Sequence, residues 1–260
     1  MVKNYTDIDA AFQERVQEIE SIFRSFRTLH GLYTGVMKTA DVNPNGLAAF
    51  ERAQRSADEE QERISLSLYS QGFTLLTGSA EALTKDVFES LIVENFSKVE
   101  GANQINFSVA ETQNILAFGE AFSDSYTEIA KSFGRLTRNK LYKGAQNPTE
   151  KINFQNTETM VSIFKKYFNL GIELPDTIQS IHRHWQVRHC IVHTNSVIDD
   201  RFINNVGKVG LLRTEEEPGK QLVVGRTDYE NAKNDFTALF SHLSKLISDN
   251  NLTTRFVQPE

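Results

Sequence analysis

The segment at residues 179–195, QSIHRHWQVRHCIVHTN, constrains the fold most, because apolar residues would lie on two opposite sides of a helix. At about 100° per residue they form two groups, Ile178, Ile181, Trp185 and Val192 on one side and Val187, Cys190 and Ile191 on the other. A helix with two apolar faces has to pack on both of them, so we expect it inside the protein. Pro175 and Asp176 supply a start signal, since proline suits a first turn and aspartate is a good N-cap.

The same segment concentrates the side chains that can do chemistry. Two polar strips run between the apolar faces, one with His182, Gln186, His189 and His193 and the other with His184, Arg188 and Asn195. Arg188 and His193 lie about 140° apart around the helix. A long arginine side chain, a distorted helix end or a second copy of the helix is needed to bring both groups to one phosphate.

Two stretches resemble the HEPN superfamily of all-helical domains, which includes many metal-independent endoribonucleases. The string VRHCIVHTN is similar to its Arg-x4-His signature, with an LP helix start upstream, apolar Ile191 and Val192 before the histidine, and Thr194 and Asn195 after it. Residues 69–91, YSQGFTLLTGSAEALTKDVFESL, resemble the long helix with an embedded glutamate in HEPN subgroups found beside bacterial defence genes. The expected fold is therefore a HEPN-like helical bundle.

The resemblance implies RNA cleavage without a metal ion or other cofactor. The 2′-hydroxyl of the RNA is the nucleophile, and the products end in a 2′,3′-cyclic phosphate and a 5′-hydroxyl. His193 is expected to be the acid or base, since histidine titrates near working pH, and Arg188 is expected to hold the phosphate through its forked guanidinium. His189, Thr194 and Asn195 are supporting candidates.

The resemblance also implies partners. It predicts a homodimer whose active cleft is shared by two chains, with RNA as the substrate and an antitoxin or defence-system protein as a further partner. If the Trp185 face packed against its own copy across a two-fold axis, each chain would supply one arginine and one histidine to the cleft.

Glu81 lies within the apolar part of residues 69–91 and has two interpretations. It can be a carboxylate at the edge of a face or in a structural ion pair, or it can orient Arg188.

Two other functions stay open. The same polar groups can hold RNA or a nucleotide without cutting it, in a HEPN-like binding module. Alternatively, His189 and His193, one turn apart, can bind a metal with His182 as third ligand, as in a metal-dependent hydrolase. No glutamate follows the first histidine as in HExxH, which weighs against that hydrolase.

Composition sets the broad class. The chain has 260 residues, of which 39% are hydrophobic and 24% charged, which is typical of an ordinary globular protein and predicts one domain over residues 1–260. No segment resembles a signal peptide or a membrane span, so we expect a cytoplasmic protein. The single cysteine excludes an internal disulfide and a cysteine-cluster metal site.

A local basic stretch stands out against a net charge of −6. Between Ile129 and Thr149 there are five basic residues and no acidic one: Lys131, Arg135, Arg138, Lys140 and Lys143. This stretch either binds RNA phosphates or is an ordinary basic surface.

The rest of the chain is predicted to be mostly helical. Residues 7–30 form an amphipathic helix stopped by Gly31, and residues 47–96 can form another, with a break near Gly72 or Gly78. Two short helices follow within residues 97–155, and Asn156 caps a helix that ends near Gly171. KVGLLRT and KQLVVGR predict a β-hairpin at about residues 208–226, before a last helix with a capping box at Thr227 and Glu230. The fold class is all-α with this small hairpin insertion.

Overall fold

The computed structural model describes residues 8–39, 47–99 and 154–254, and most of them are helical. The helices in chain order are α1 (Ile8–Thr39), α2 (Leu47–Glu94), α3 (Thr157–Phe168), α4 (Pro175–His193), α5 (Asp200–Lys208) and α6 (Arg226–Asp249), with a short 3-10 helix at Phe96–Lys98. The all-α prediction is thus confirmed for the described residues. None of the helices in these ranges combines the length and the apolar character that crossing a membrane requires.

The two long helices contain no break at the predicted glycines. α1 continues through Gly31 to Thr39, and nothing lies within 4 Å of a Cβ built at Gly31. α2 is one helix of 48 residues that includes Gly72 and Gly78. The side chain of Phe23 lies directly over Gly72, so this glycine allows a close approach of α1 rather than bending α2.

The shorter helices begin and end near their predicted limits. Asn156 caps α3 as predicted, accepting a hydrogen bond from the Thr159 amide at 3.0 Å. α3 ends at Phe168, followed by the C-cap Asn169 with a left-handed backbone, close to the predicted end near Gly171. α4 begins at Pro175, where the Leu174 carbonyl accepts from the Ile178 amide at 2.8 Å, so Asp176 lies in the first turn and is not the N-cap.

The last helix begins differently from the prediction. α6 starts at Arg226, one residue before the Thr227 that was expected to cap it. The Asp228 carboxylate accepts a hydrogen bond from the Gly225 amide at 3.0 Å. Asp228 therefore supplies the capping contact that the sequence assigned to Glu230.

The hairpin predicted at about residues 208–226 is not formed. Lys208 belongs to α5, Gly210 has a left-handed backbone, and a turn joins Arg213 to Glu216. In the second predicted strand, Gln221 forms an isolated antiparallel bridge with Val197 and does not pair with the first predicted strand. In the first predicted strand, the Leu211 carbonyl accepts a hydrogen bond from Arg183 of α4 at 3.1 Å, a tertiary contact that no local pattern indicates.

The chain divides into two compact units. The first contains Met1–Phe12, Ser79–His182 and Asp235–Glu260. Its core is rich in aromatic contacts: Phe12 packs on Phe240 with ring centroids 4.9 Å apart, and Phe88 packs edge-on against Phe164 at 5.4 Å. Asn95 closes the end of α2 by exchanging two hydrogen bonds with the backbone of Thr253, at 2.7 and 3.0 Å.

The second unit contains Gln13–Gly78 and Arg183–Asn234. An aromatic cluster of Phe23, Tyr69 and Tyr229 joins α1, α2 and α6 within it, with centroids 4.9 to 6.3 Å apart. The candidate functional residues of α4 from Arg188 onward also belong to this unit.

Candidate functional site

α4 is buried on both of its predicted apolar faces except near its C-terminal end, where Val192 of the Trp185 face is 51% exposed. Ile181 and Trp185 on one face are 0% and 2% exposed, and Val187 and Cys190 on the other are 4% and 2% exposed. The expectation of an internal helix is confirmed. Trp185 is itself covered within the chain, and the homodimer stays a prediction.

The C-terminal end of α4, where the candidate histidines lie, is exposed. Val192 is 51% exposed, His193 is exposed as the last residue of the helix, and His189 is partly buried. The rings of His189 and His193 lie 4.5 Å apart between centroids, with an interplanar angle of 40°. The structure therefore brings these two predicted site residues together, as a spacing of four residues on one helix requires.

Arg188 points to a different neighbour. A Cβ built at Gly78 of α2 would lie 3.8 Å from both Nε and Nη2 of Arg188, so the guanidinium lies against this glycine. The side chain is partly buried. The wide angle between Arg188 and His193 is thus reflected in their contacts, the arginine lying beside α2 and the histidine beside His189.

Thr194 and Asn195 form the turn that ends α4. The Thr194 hydroxyl lies 2.8 Å from the Cys190 carbonyl oxygen and 2.6 Å from that of Val197. Asn195 has a left-handed backbone with φ 53°, and its carbonyl accepts from the Gln221 side chain at 3.1 Å. These contacts give both residues a structural role in holding His193 at the helix end; a role in a pocket stays a prediction.

The turn after α4 leads into α5, a helix that was not predicted from the sequence. Asp199 caps α5 by accepting from the Phe202 amide at 2.7 Å, which places the exposed Arg201 in the first turn. The signal was present: an aspartate followed by apolar Phe202 and Val206, four residues apart, is typical of a helix start.

The electrostatic surroundings lower the pKa of His189 below its ordinary value. Burial is the largest cause, and repulsion from Arg201 and His193 adds to it, whereas Asp199 opposes the shift and Arg188 contributes a smaller lowering. The lowered pKa favours the neutral form of His189, whose ring can accept a proton or bind through nitrogen. Arg201 and Asp199 are therefore close enough to His189 to influence its pKa.

Cys190, on the same helix, is buried and is 2% exposed. Burial raises the pKa of its thiol, although a hydrogen bond from Thr194 opposes that shift. The sulfur lies 3.4 Å from the Val197 carbonyl oxygen and can donate to it. A buried protonated thiol is a packing group, as the sequence suggested.

Glu81 accepts a hydrogen bond from the Gln155 side chain at 2.8 Å. This contact fits a structural carboxylate in the first unit, and an orienting role toward Arg188 stays a prediction. The five basic residues Lys131, Arg135, Arg138, Lys140 and Lys143 lie outside the described residues, as do the two short helices predicted around them.

The three-histidine metal site is not formed. In the described ranges, no group of three or more His, Cys, Asp and Glu side chains is close enough to hold a metal ion. His182, the expected third ligand, instead has its Nδ1 3.4 Å from the Thr157 hydroxyl.

Comparison with known proteins adds no relative. The sequence matches no family model, no curated protein and no solved structure. The HEPN resemblance therefore rests on the two stretches at residues 69–91 and 179–195.

Proposed function

We propose that this protein is a metal-independent endoribonuclease with a HEPN-like helical bundle, acting in the cytoplasm in a toxin or antiviral defence setting. The observation that carries the proposal is the pair of neighbouring imidazoles at the exposed end of α4, one of them with a lowered pKa. Attack by the RNA 2′-hydroxyl needs a group that removes a proton and a group that returns one. His193 is the principal acid or base, and His189 tunes it or shares the task.

Arg188 supplies positive charge in this proposal. Its planar guanidinium can hold phosphate oxygens in a fork. Its guanidinium lies beside Gly78 of α2, where a Cβ would be 3.8 Å from Nε and Nη2. Arg201, exposed in the first turn of α5, is a further cation that RNA phosphate can meet.

The dimer is retained as a proposal, with the exposed C-terminal end of the Trp185 face as the contact. With Trp185 buried, the exposed Val192 beside His193 is the part of α4 that a second copy can cover. Packing there would bring two His193 side chains to one cleft, giving an acid and a base from one sequence position. An antitoxin or defence-system partner that covers this end would restrain the activity.

One observation favours a second candidate, a module that binds RNA or a nucleotide without cutting it. Arg188 lies against α2 while His193 lies at the exposed helix end, so one chain does not line up both groups through the contacts described above. If the arrangement persists in the working protein, the polar groups recognise phosphate but do not assemble a cleavage site.

Product analysis distinguishes the two candidates. Purified protein is incubated in EDTA with a labelled RNA and with DNA of the same sequence, which lacks the 2′-hydroxyl. The nuclease proposal expects RNA fragments that end in a 2′,3′-cyclic phosphate and intact DNA. Binding of RNA without fragments supports the second candidate, and activity that appears only when Zn²⁺ or Mn²⁺ is restored contradicts the metal-independent mechanism.

A further inference from the structure

The histidine pair at the end of α4 has close to the separation that a shared metal ion requires. Two imidazole nitrogens, each about 2.1 Å from one ion in tetrahedral coordination, place their ring centroids roughly 5 Å apart. The centroids of His189 and His193 already lie 4.5 Å apart. Both residues lie on α4, so rotation about their side-chain bonds can direct one nitrogen of each ring toward a common ion.

From this geometry we propose that His189 and His193 form a two-ligand site for a late first-row divalent ion such as Zn²⁺. Imidazole nitrogen suits zinc, copper and nickel, whereas Mg²⁺ and Ca²⁺ prefer oxygen ligands. Because His193 is exposed, water completes the coordination of the ion. This is an open site of two side chains, distinct from the three-histidine catalytic site that the structure does not form.

The surroundings set how firmly the ion is held. Arg201 and Arg188 carry positive charge toward His189 and oppose a cation, whereas Asp199 favours it. Among the described residues no third side chain of the usual ligand types completes the site. The ion is therefore an exchangeable ligand and not a permanent structural metal.

An ion at this position would inhibit proton transfer by the two histidines. Each metal-bound nitrogen has its lone pair in the coordination bond and can no longer accept a proton. This consequence rests on the proposed nuclease function: Zn²⁺ inhibits RNA cleavage, and EDTA restores it. The binding site itself is independent of that function.

Calorimetric titration of the full chain with ZnCl₂ tests the site directly. We expect one ion per chain, at least a tenfold weaker affinity in each of His189→Asn and His193→Asn, and no comparable binding of MgCl₂. His182→Gln is the matched control on the same helix and keeps wild-type affinity, and circular dichroism of each variant confirms folding. A wild-type chain that binds no Zn²⁺ at about 1 mM, or binding that both asparagine variants retain, overturns the proposal.

A parallel cleavage assay separates the two proposals. Zn²⁺ binding that depends on both histidines, together with RNA cleavage that Zn²⁺ inhibits, supports both. Binding of the same kind with no cleavage under any condition supports the metal site and contradicts the nuclease. Cleavage that persists at a saturating Zn²⁺ concentration contradicts the inhibitory part of the proposal.

Discussion

The guanidinium of Arg188 lies against Gly78, whose Cβ, if it had one, would be 3.8 Å from Nε and Nη2. Gly72, two turns earlier on α2, lies under the ring of Phe23 in closer contact. Both glycines occur inside an unbroken helix, although glycine costs helix stability. A Cβ at Gly72 would be 2.3 Å from the nearest atom, whereas one at Gly78 would be 3.8 Å away, so alanine should have different effects on stability at the two positions.

Gly78→Ala and Gly72→Ala are therefore expected to change stability in opposite directions. At Gly78 a methyl group meets Arg188 at an ordinary contact distance, so the gain in helix propensity should stabilise the protein by about 0.5 to 1 kcal/mol. At Gly72 it overlaps the Phe23 ring and should destabilise by about 1 to 3 kcal/mol. Urea unfolding measures both, and equal effects at the two positions would contradict the packing described here.

Helix positions could be predicted from the sequence, but the role of the two glycines could not. Periodicity located α1, α2, α3, α4 and α6, because their apolar stripes are local features. Whether a glycine breaks a helix or admits a neighbour depends on residues distant in sequence, such as Phe23 over Gly72.

The missed hairpin has a similar cause. The alternation of Leu222, Val223 and Val224, which are 7%, 56% and 4% exposed, is that of an extended segment with one buried face. Its bridge partner is Val197 and not the nearby KVGLLRT segment, which no local pattern indicates. At the candidate site, the closeness of His189 and His193 could be predicted from their spacing on one helix. The effect of Arg201 on the pKa of His189 could not, because it depends on where α5 lies.

The ion pair of Arg183 and Glu216 holds the loop before α6 onto α4. Arg183 donates to Glu216 Oε2 at 3.0 Å and to the Leu211 carbonyl at 3.1 Å, and the two charged residues are only 8% and 5% exposed. Arg183→Met should cost about 3 to 5 kcal/mol of unfolding free energy, because it leaves a buried charge without its cation.

The double variant Arg183→Met with Glu216→Leu is the control for that charge effect. Its loss should be smaller than that of either single variant, since no buried charge remains. Additive losses in the double variant would mean that packing, and not charge burial, dominates the contribution of this pair.

Cys190 should resist thiol reagents in the folded protein. It is 2% exposed, and burial raises the pKa of its thiol, so little thiolate is available at pH 8. Labelling with a disulfide reagent should be slow in buffer and fast in denaturant. Rapid labelling of the native protein, at the rate of an unfolded cysteine, would contradict the packing at the end of α4.

The titration of His189 should occur below the ordinary histidine range. Burial is the main cause and repulsion from Arg201 the next, so Arg201→Gln should raise the pKa of His189 toward its ordinary value. Because the folded protein resists a proton that the unfolded chain accepts, His189 should reduce stability as pH falls below about 6.5. NMR titration of the ring protons in EDTA measures this pKa, and an unchanged value in Arg201→Gln would remove Arg201 from the site.

The rate of RNA cleavage in EDTA by wild type, His193→Ala and His182→Gln tests the central claim most directly. His193 is exposed at the end of α4, so its removal should leave the fold intact, and His182 is the matched histidine on the same helix. We expect the alanine variant to lose at least a hundredfold in rate, in line with the loss of general acid–base catalysis, while His182→Gln stays near wild type. Cleavage by His193→Ala at the wild-type rate would contradict the assignment.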